Sequence, residues 1–545
     1  MRAAFACLLL ALTCAPDRAT TGSSAPQQTS PTSRAATDYD IVIRGGDVID
    51  GTGAARVRTD VGIRGDAIAT IGDLSKASAA TTIDARGKIV APGFIDLLGN
   101  SQSAVLIDPK LEGKVRQGVT TEVTGEGHSP GPIDEAMAAE MERTKPAGWP
   151  AVSWRSLGDF MRVVEKRGSA LNFAFYIGAA NPREMVLGHA DRAPNAEEQQ
   201  RMNAIVAQAK REGAVGLASA LIYPPGRFAT TSELTSMAHV AGSYWTHLRN
   251  ESSRIDSAID EALQIGRDAH VPVNIFHLKI GGQENWGGMK RVVAKINAAR
   301  AKGADVASCI YPYTATSTDL TSIVPASALE GGYAAFVARL KDPATRATIT
   351  QAMRAGRLAN NGASTVMVRG AGRLDQLAAQ NHVDAAEMAA RLFERGNRSP
   401  IAIFFSLSEA DVKAALVQPW VAVCSDSGAV VDRSEGAHPR AYGTFSRILR
   451  YVREEKLLTL EEAVRKMTSL AASRAFLRDR GTLRAGMRAD VVVFDEKTVA
   501  DVSTYEDPHH FSIGVDEVIV NGKPVLRDGK MTGALPGRML RVSGE

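Results

Sequence analysis

Cysteine is scarce. Of four thiols in 545 residues, Cys7 and Cys14 fall at the extreme N-terminus, which leaves Cys309 and Cys424 for everything else. That excludes a disulfide-stapled scaffold and a cysteine-rich zinc fold. Both remaining thiols sit inside apolar runs and read as buried groups at the ends of core strands, with a single disulfide between them as the alternative in an oxidising compartment. Long hydrophobic runs are also missing, since nothing after residue 12 approaches the roughly 18 residues of a spanning helix. A polytopic membrane protein is excluded. Nor does charge of one sign accumulate: the formal net charge is +4, and residues 1–37, with three Arg and one Asp, hold half of it. Nucleic acid is therefore not an expected partner.

What is present is a large globular chain, 44% hydrophobic and 23% charged. Its length corresponds to about three to four ordinary structural units. Arg2 precedes an uninterrupted apolar run from Ala3 to Leu12, the length of a secretory h-region, so residues 1–19 are expected to be an export signal. Ala11-Leu12-Thr13-Cys14 resembles a bacterial lipoprotein processing box. Two outcomes stay open: a mature chain beginning at a lipidated Cys14, or ordinary cleavage near Ala15 to Ala19. Either gives an exported protein, periplasmic or lipid-anchored in a bacterial envelope. Residues 20–37, rich in Ser, Thr, Pro, Ala and Gln, are expected to be a disordered tether.

The body is expected to be α/β, a (β/α)8 TIM-like barrel with a small β-sandwich built from both chain ends. Residues 38–90 give short β-type runs separated by Gly-Asp, Asp-Gly and Gly-Thr-Gly turns, the pattern of an antiparallel meander. The same style returns in 477–545, where the run 515–520 is followed by Asn521-Gly522, a strong hairpin signal. Between them, 91–476 alternates apolar strand-length runs (173–177, 214–218, 244–247, 273–277, 305–310, 401–405, 421–424) with helical patterns such as 196–212 and 252–270. That alternation predicts βα units closing into a barrel. Residues 320–398 fit it poorly and are read as an insertion.

Catalytic groups in such barrels come from the C-terminal ends of strands. Four positions qualify: Glu126, His247, His277 and Asp426. Two imidazoles and one carboxylate make a zinc-type ligand set with coordination left open for water, and the other carboxylate is then placed to move that water's proton. His128, two residues past Glu126, is a weaker alternative ligand, and His438 belongs to a loop expected near Asp426. Arg249 is expected to pair with Glu251 as loop structure. Arg440 and Lys279 are candidate cations near these strand ends, able to grip an anionic group, with Tyr311 and Ser317 beside them. Tyr223, in Leu221-Ile-Tyr-Pro-Pro-Gly226, is a candidate pocket-lining residue.

Taken together, Val90-Ala-Pro-Gly-Phe-Ile-Asp96, Thr246-His247-Leu-Arg-Asn-Glu251, Phe276-His277-Leu-Lys279, Tyr311-Pro-Tyr313, Ser425-Asp426 and His438-Pro-Arg440 resemble the amidohydrolase superfamily, specifically its D-aminoacylase (N-acyl-D-amino-acid deacylase) branch. Arg484-Ala-Gly-Met-Arg-Ala-Asp490 extends the likeness to the C-terminal region. The resemblance implies a zinc-dependent hydrolase with an inserted segment over the pocket, and substrate contacts at Lys279, Tyr311 and Ser317. One departure stands out. Where the superfamily pattern has a His-x-His pair after Phe-Ile-Asp, this chain has Leu98-Gly99-Asn100. Where the branch carries a Cys ligand, it has Glu126. The expectation is therefore one Zn²⁺ per chain, held by Glu126, His247 and His277, with Asp426 as general acid and base for cleaving the amide of an N-acyl amino acid. Other small amides, dipeptides, cyclic amides or lactones are alternative substrates, and a metal-free binding protein is the alternative of another class.

Overall fold

The computed structural model describes residues 37–359, 362–396, 398–434 and 436–542. The signal read at 1–19 and all but Thr37 of the tether read at 20–37 lie outside the described residues. Eight short parallel strands form the barrel: Phe94–Asp96, Val119–Thr124, Asn172–Phe175 continued by Ile177–Gly178, Leu217–Ala220, Tyr244–His247, Val273–Ile275, Val306–Ile310 and Val421–Val423. Each pairs with the next in parallel. The ring closes through a parallel bridge between Gly99 and Ser427 and through the Asp426 N–H, which donates to the Leu98 carbonyl at 2.8 Å.

Every residue of these strands is buried. Helices cover the outer face and side chains fill the interior, so both faces of each strand are buried. Inside, the rings of Tyr176, Trp245 and Phe276 lie 4.8 to 5.6 Å apart, and the Tyr176 hydroxyl donates to the Leu97 carbonyl. This packed plug leaves chemistry to the strand ends. Helix Ile255–Ala269 shows why the outer layer forms: Ile255, Ala258, Ile259, Ala262, Ile265 and Ala269 recur at helical spacing and are all buried. Cys309 and Cys424 are buried free thiols, so there is no disulfide between them.

Both chain ends build one nine-stranded sheet. The N-terminal meander covers only Tyr39–Val48, Val57–Arg64 and Ala67–Gly72; Ala79–Asp84 and Ile89–Pro92 instead join Tyr39–Val48 in parallel. Ile89–Pro92 then pairs antiparallel with Val491–Phe494, which sews the two termini together. Asn521 and Gly522 both adopt positive φ, 47° and 75°, the geometry of the tight hairpin joining Val515–Val520 to Lys523–Arg527.

Two readings of the middle of the chain need correction. The run at 401–405 is not a barrel strand: Ile401–Phe404 pairs antiparallel with Thr316–Asp319 and Val366–Val368 in a separate four-stranded sheet. A short apolar run has the same composition in either sheet; only its partners separate the two. The inserted unit accordingly spans Thr316 to Phe404, wider than 320–398, with its own core around Phe336, Met353, Leu374 and Phe393.

Asp490 joins the terminal sheet to the barrel. Its carboxylate accepts from the Asn521 N–H (2.7 Å), from Asn172 Nδ2 on the third barrel strand (3.0 Å) and from the buried Arg480 guanidinium. Removing one partner of a buried pair strands the other charge, at about 3–5 kcal/mol. Asp490→Ala is therefore expected to lose about 3 kcal/mol or more in denaturant unfolding, and a loss below about 1 kcal/mol would refute this junction.

Candidate active site

The mouth of the barrel gathers side chains from four strand ends. Glu126 lies two residues past the second strand, His247 closes the fifth, His277 lies two past the sixth, and Asp426 three past the eighth. Glu126 Oε1 stands 3.1 Å from His247 Nδ1 and 3.1 Å from His277 Nε2, and the two imidazoles meet edge to face with centroids 4.5 Å apart. Their three donor atoms lie within 4.8 Å of one another, so a single cation can touch all of them. Backbone geometry is unusual here, with φ of 35° at His277 and 50° at Asp426, left-handed values that non-glycine residues reach only at a cost.

A second carboxylate, absent from the sequence-based expectation, completes the constellation. Glu251 lies 3.1 Å from His277 Nδ1 and 3.3 Å from His247 Nε2, on the faces turned away from Glu126. Carboxylates in that position orient ligating imidazoles and fix which nitrogen is free for the metal. Arg249 does not engage Glu251; it pairs with Glu261 at 2.9 Å and caps the carbonyls of Arg227 and Ala229. The signal was the spacing His247-x-x-x-Glu251, obscured by the nearer Arg249.

Electrostatics favour a cation at this point. Glu126, Glu251 and Asp426 outnumber Lys279 and Arg440, leaving a net negative charge to be balanced. Burial and Lys279 act to lower the pKa of His277, but Asp426, Glu251 and Glu126 outweigh them and bring it up to about 10. Burial pushes Glu126 and Glu251 upward, yet hydrogen bonds and charge from the two histidines, with Lys279 beside Glu251, hold both well below the usual carboxylate range. Without a metal, a proton on His277 does the balancing. A nitrogen–nitrogen–oxygen donor set with this charge fits Zn²⁺.

The remaining candidates ring this centre. Lys279 donates to Glu251 at 2.8 Å and lies 2.7 Å from His277 Nδ1, so it is engaged with this cluster. Arg440, first residue of helix Arg440–Glu455, pairs with Asp426 at 2.8 Å and stacks over the Tyr311 ring at 4.6 Å. The Tyr311 hydroxyl is buried with no hydrogen-bond partner among the described residues. Ser317 meets Arg440 through its carbonyl, at 3.5 Å. Tyr223 packs edge-on to His247 and its hydroxyl lies 2.6 Å from Thr318 Oγ1, which ties the inserted sheet to the barrel mouth. His128 is exposed beside Glu184, 3.2 Å away, outside the cluster. His438 uses both ring nitrogens on backbone, at Ala315 O and the Arg440 N–H, and burial with Arg440 nearby depresses its pKa, so it shapes the loop as a neutral ring. Leu98 is fully buried and offers no donor atom, and Asn100 is half-buried.

A (β/α)8 barrel with paired histidines, a bridging carboxylate and an Asp after the last strand defines a metal-dependent hydrolase. The comparisons with known proteins agree. Residues 121–526 match the amidohydrolase family model. An N-acyl-D-glutamate deacylase of Alcaligenes xylosoxydans xylosoxydans is 37% identical, over 92% of this chain and 96% of its own. A D-aminoacylase of the same organism is 35% identical over 92% and 97%. Among solved structures, an N-acyl-D-glutamate deacylase from Bordetella bronchiseptica, complexed with zinc and a phosphonate mimic of the tetrahedral intermediate, superposes with a TM-score of 0.79 at 34% identity, covering 92% of this chain and 99% of that one. The chain belongs to the amidohydrolase family and is a hydrolase acting on carbon–nitrogen bonds other than peptide bonds.

Asp426, Glu251 and Glu126 favour the protonated form of His277 in the metal-free protein, so zinc binding displaces a proton. The apparent zinc affinity is expected to rise about tenfold per pH unit near neutrality, measured against a competing chelator. A pH-independent affinity would contradict this. His247→Ala is expected to lose the bound zinc; unchanged zinc content would remove it from the ligand set.

Proposed function

We propose that this protein is a mononuclear zinc amidohydrolase that cleaves the amide bond of N-acyl amino acids of D configuration. The observation carrying the proposal is Asp426 just past the last barrel strand, near enough for its charge to act on His277, with Arg440 on its carboxylate at 2.8 Å. Zinc at those three residues would lower the pKa of a water towards about 7 and polarise the scissile carbonyl. The protein's own groups do the rest. Asp426 takes the proton of the attacking water and delivers it to the amide nitrogen, which is a poor leaving group until protonated. Glu251 keeps the two imidazoles oriented, and Lys279 holds Glu251 in place.

Arg440 has a second duty. Its guanidinium suits two parallel bonds to a carboxylate, and in the structure Asp426 occupies it. A substrate carboxylate competes for Arg440, and once it wins, Asp426 is released to act as a base. Tyr311, with Arg440 4.6 Å and Lys279 6.0 Å from its ring centroid, holds its unpartnered hydroxyl ready for the same carboxylate. The single-metal reading is supported by Leu98 and Asn100, which cannot replace a His-x-His pair. The D configuration is supported by the names of relatives 34–37% identical. Export, to the periplasm or to a lipid anchor at Cys14, is supported by Arg2 and the apolar run after it.

Asp426→Asn is expected to reduce turnover at least about 10²-fold with zinc retained, and an active variant would remove Asp426 from the mechanism. Arg440→Met is expected to raise KM for N-acyl amino acids about tenfold or more, equivalent to one charge-assisted contact; a substrate whose carboxylate is replaced by an amide should show little difference between variant and wild type. On a panel of N-acyl-D- and N-acyl-L-amino acids the D series should be cleaved, and turnover of the L series alone would overturn the assigned configuration. Mass spectrometry of the mature protein should find its N-terminus at lipidated Cys14 or between Ala15 and Ala19; an intact Met1 would refute export.

A further inference from the structure

Beneath Asp426 lies a buried charge cluster for which the reaction as described has no use. Lys114, on the short helix Glu112–Val115, has a side chain with no solvent exposure. Its ammonium lies 2.7 Å from Asp96 Oδ2 at the end of the first barrel strand and 3.3 Å from Glu122 Oε2 within the second. It also donates to Ser425 Oγ at 2.7 Å and to the Ser427 carbonyl at 2.6 Å. Those two residues flank Asp426. Asp96 adds to the grip by accepting the Ser425 N–H at 2.8 Å, while the Asp426 N–H is held by the Leu98 carbonyl at the same distance.

Glu122 is fastened from the other side, by the Ser101 N–H at 2.7 Å and the Ser101 hydroxyl at 2.8 Å, and that hydroxyl accepts from the Ala429 N–H at 2.9 Å. Room for Glu122 comes from Gly99: a Cβ there would lie 1.9 Å from the Glu122 carboxyl carbon. Burial works against the charge on Lys114, but Asp96 and Glu122 more than offset it and keep its pKa above the ordinary lysine value. A buried ion cluster seldom adds net stability over packed apolar residues. This one converges on Ser425 and Ser427, the residues on either side of one held at a φ of 50°.

We propose that Lys114 is a positioning residue for amide cleavage: anchored by Asp96 and Glu122, it clamps both flanks of Asp426 and holds that carboxylate in line for proton transfer. The inference rests on the reading of Asp426 as the proton-transfer group, and the test separates the two. Delivery of a proton matters for a departing amine and much less for a departing alkoxide. The zinc-loaded wild type, Lys114→Met and Asp426→Asn would be compared at about pH 9, where a water whose pKa zinc lowers towards about 7 needs no base to ionise and only delivery of the proton is tested, on an N-acyl amino acid and on the matching O-acyl hydroxy-acid ester.

Lys114→Met is expected to lower kcat about 10²-fold on the amide and less than about tenfold on the ester, with KM within about twofold and zinc content unchanged. Asp426→Asn should show the same selectivity for the amide. Equal losses of Lys114→Met on both substrates, or no loss, would overturn the positioning role while leaving Asp426 in place. Loss of amide selectivity in Asp426→Asn would overturn the proton-transfer reading, and the proposal with it. Where Lys114→Met does not fold, Ser425→Ala removes only the hydroxyl between the ammonium and Asp96, and is expected to show the same amide-selective loss at about tenfold.

Discussion

The carboxylate of Glu126, held between two imidazoles at the barrel mouth, is the contact on which the site depends. His247 and His277 come from neighbouring strands and Glu126 from across the barrel, so their meeting requires the ring to be closed and its interior filled. Tyr176, Trp245 and Phe276 do that filling directly below. A barrel packed solid to this depth cannot relax towards a misplaced ligand, because densely packed interiors transmit strain instead of absorbing it. The excess of carboxylate charge then makes a bound divalent cation, or a proton on His277, part of the folded arrangement.

Closure between the first and eighth strands is the weakest part of the ring by backbone pairing. It consists of one bridge and the Asp426-to-Leu98 hydrogen bond, where other neighbours share two to four paired positions. Side chains take over that seam. Asp96, Lys114, Glu122 and Ser425 cross-link it. The proposed proton-transfer group, Asp426, sits on this seam. The inserted unit reaches the barrel mouth elsewhere, through Thr318 and Tyr223 beside His247.

Much of this was legible in the sequence because strand-end chemistry has a local signature. His247, His277 and Asp426 each follow a run of apolar residues, and the turn residues Asn521-Gly522 mark their hairpin without tertiary context. Glu251 was not legible, because Arg249 offered it a nearer and ordinary partner. Lys114 gave no signal at all: a lysine between Gly113 and Val115 reads as solvated, and its burial follows only from where the helix docks. Glu122 did give one, a charge inside the uniformly buried strand Val119–Thr124, which has meaning only if a buried cation awaits it. The strand Ile401–Phe404 shows the complementary failure, since composition specifies a strand but not the sheet it joins.

The departure at Leu98-Gly99-Asn100 gains a physical meaning from the structure. Leu98 is packed in the barrel interior, and Gly99 makes space for Glu122. The first strand therefore contributes packing and a fastening point for Asp426, and on the proposed reading the metal is left to Glu126, His247 and His277. The most direct test of this account is the elemental zinc content of the protein purified without added metal, with chelator sensitivity measured on the same sample. The account predicts about one zinc per chain and amide hydrolysis that chelation abolishes and zinc restores. Two metals per chain, or full activity without any, would contradict it.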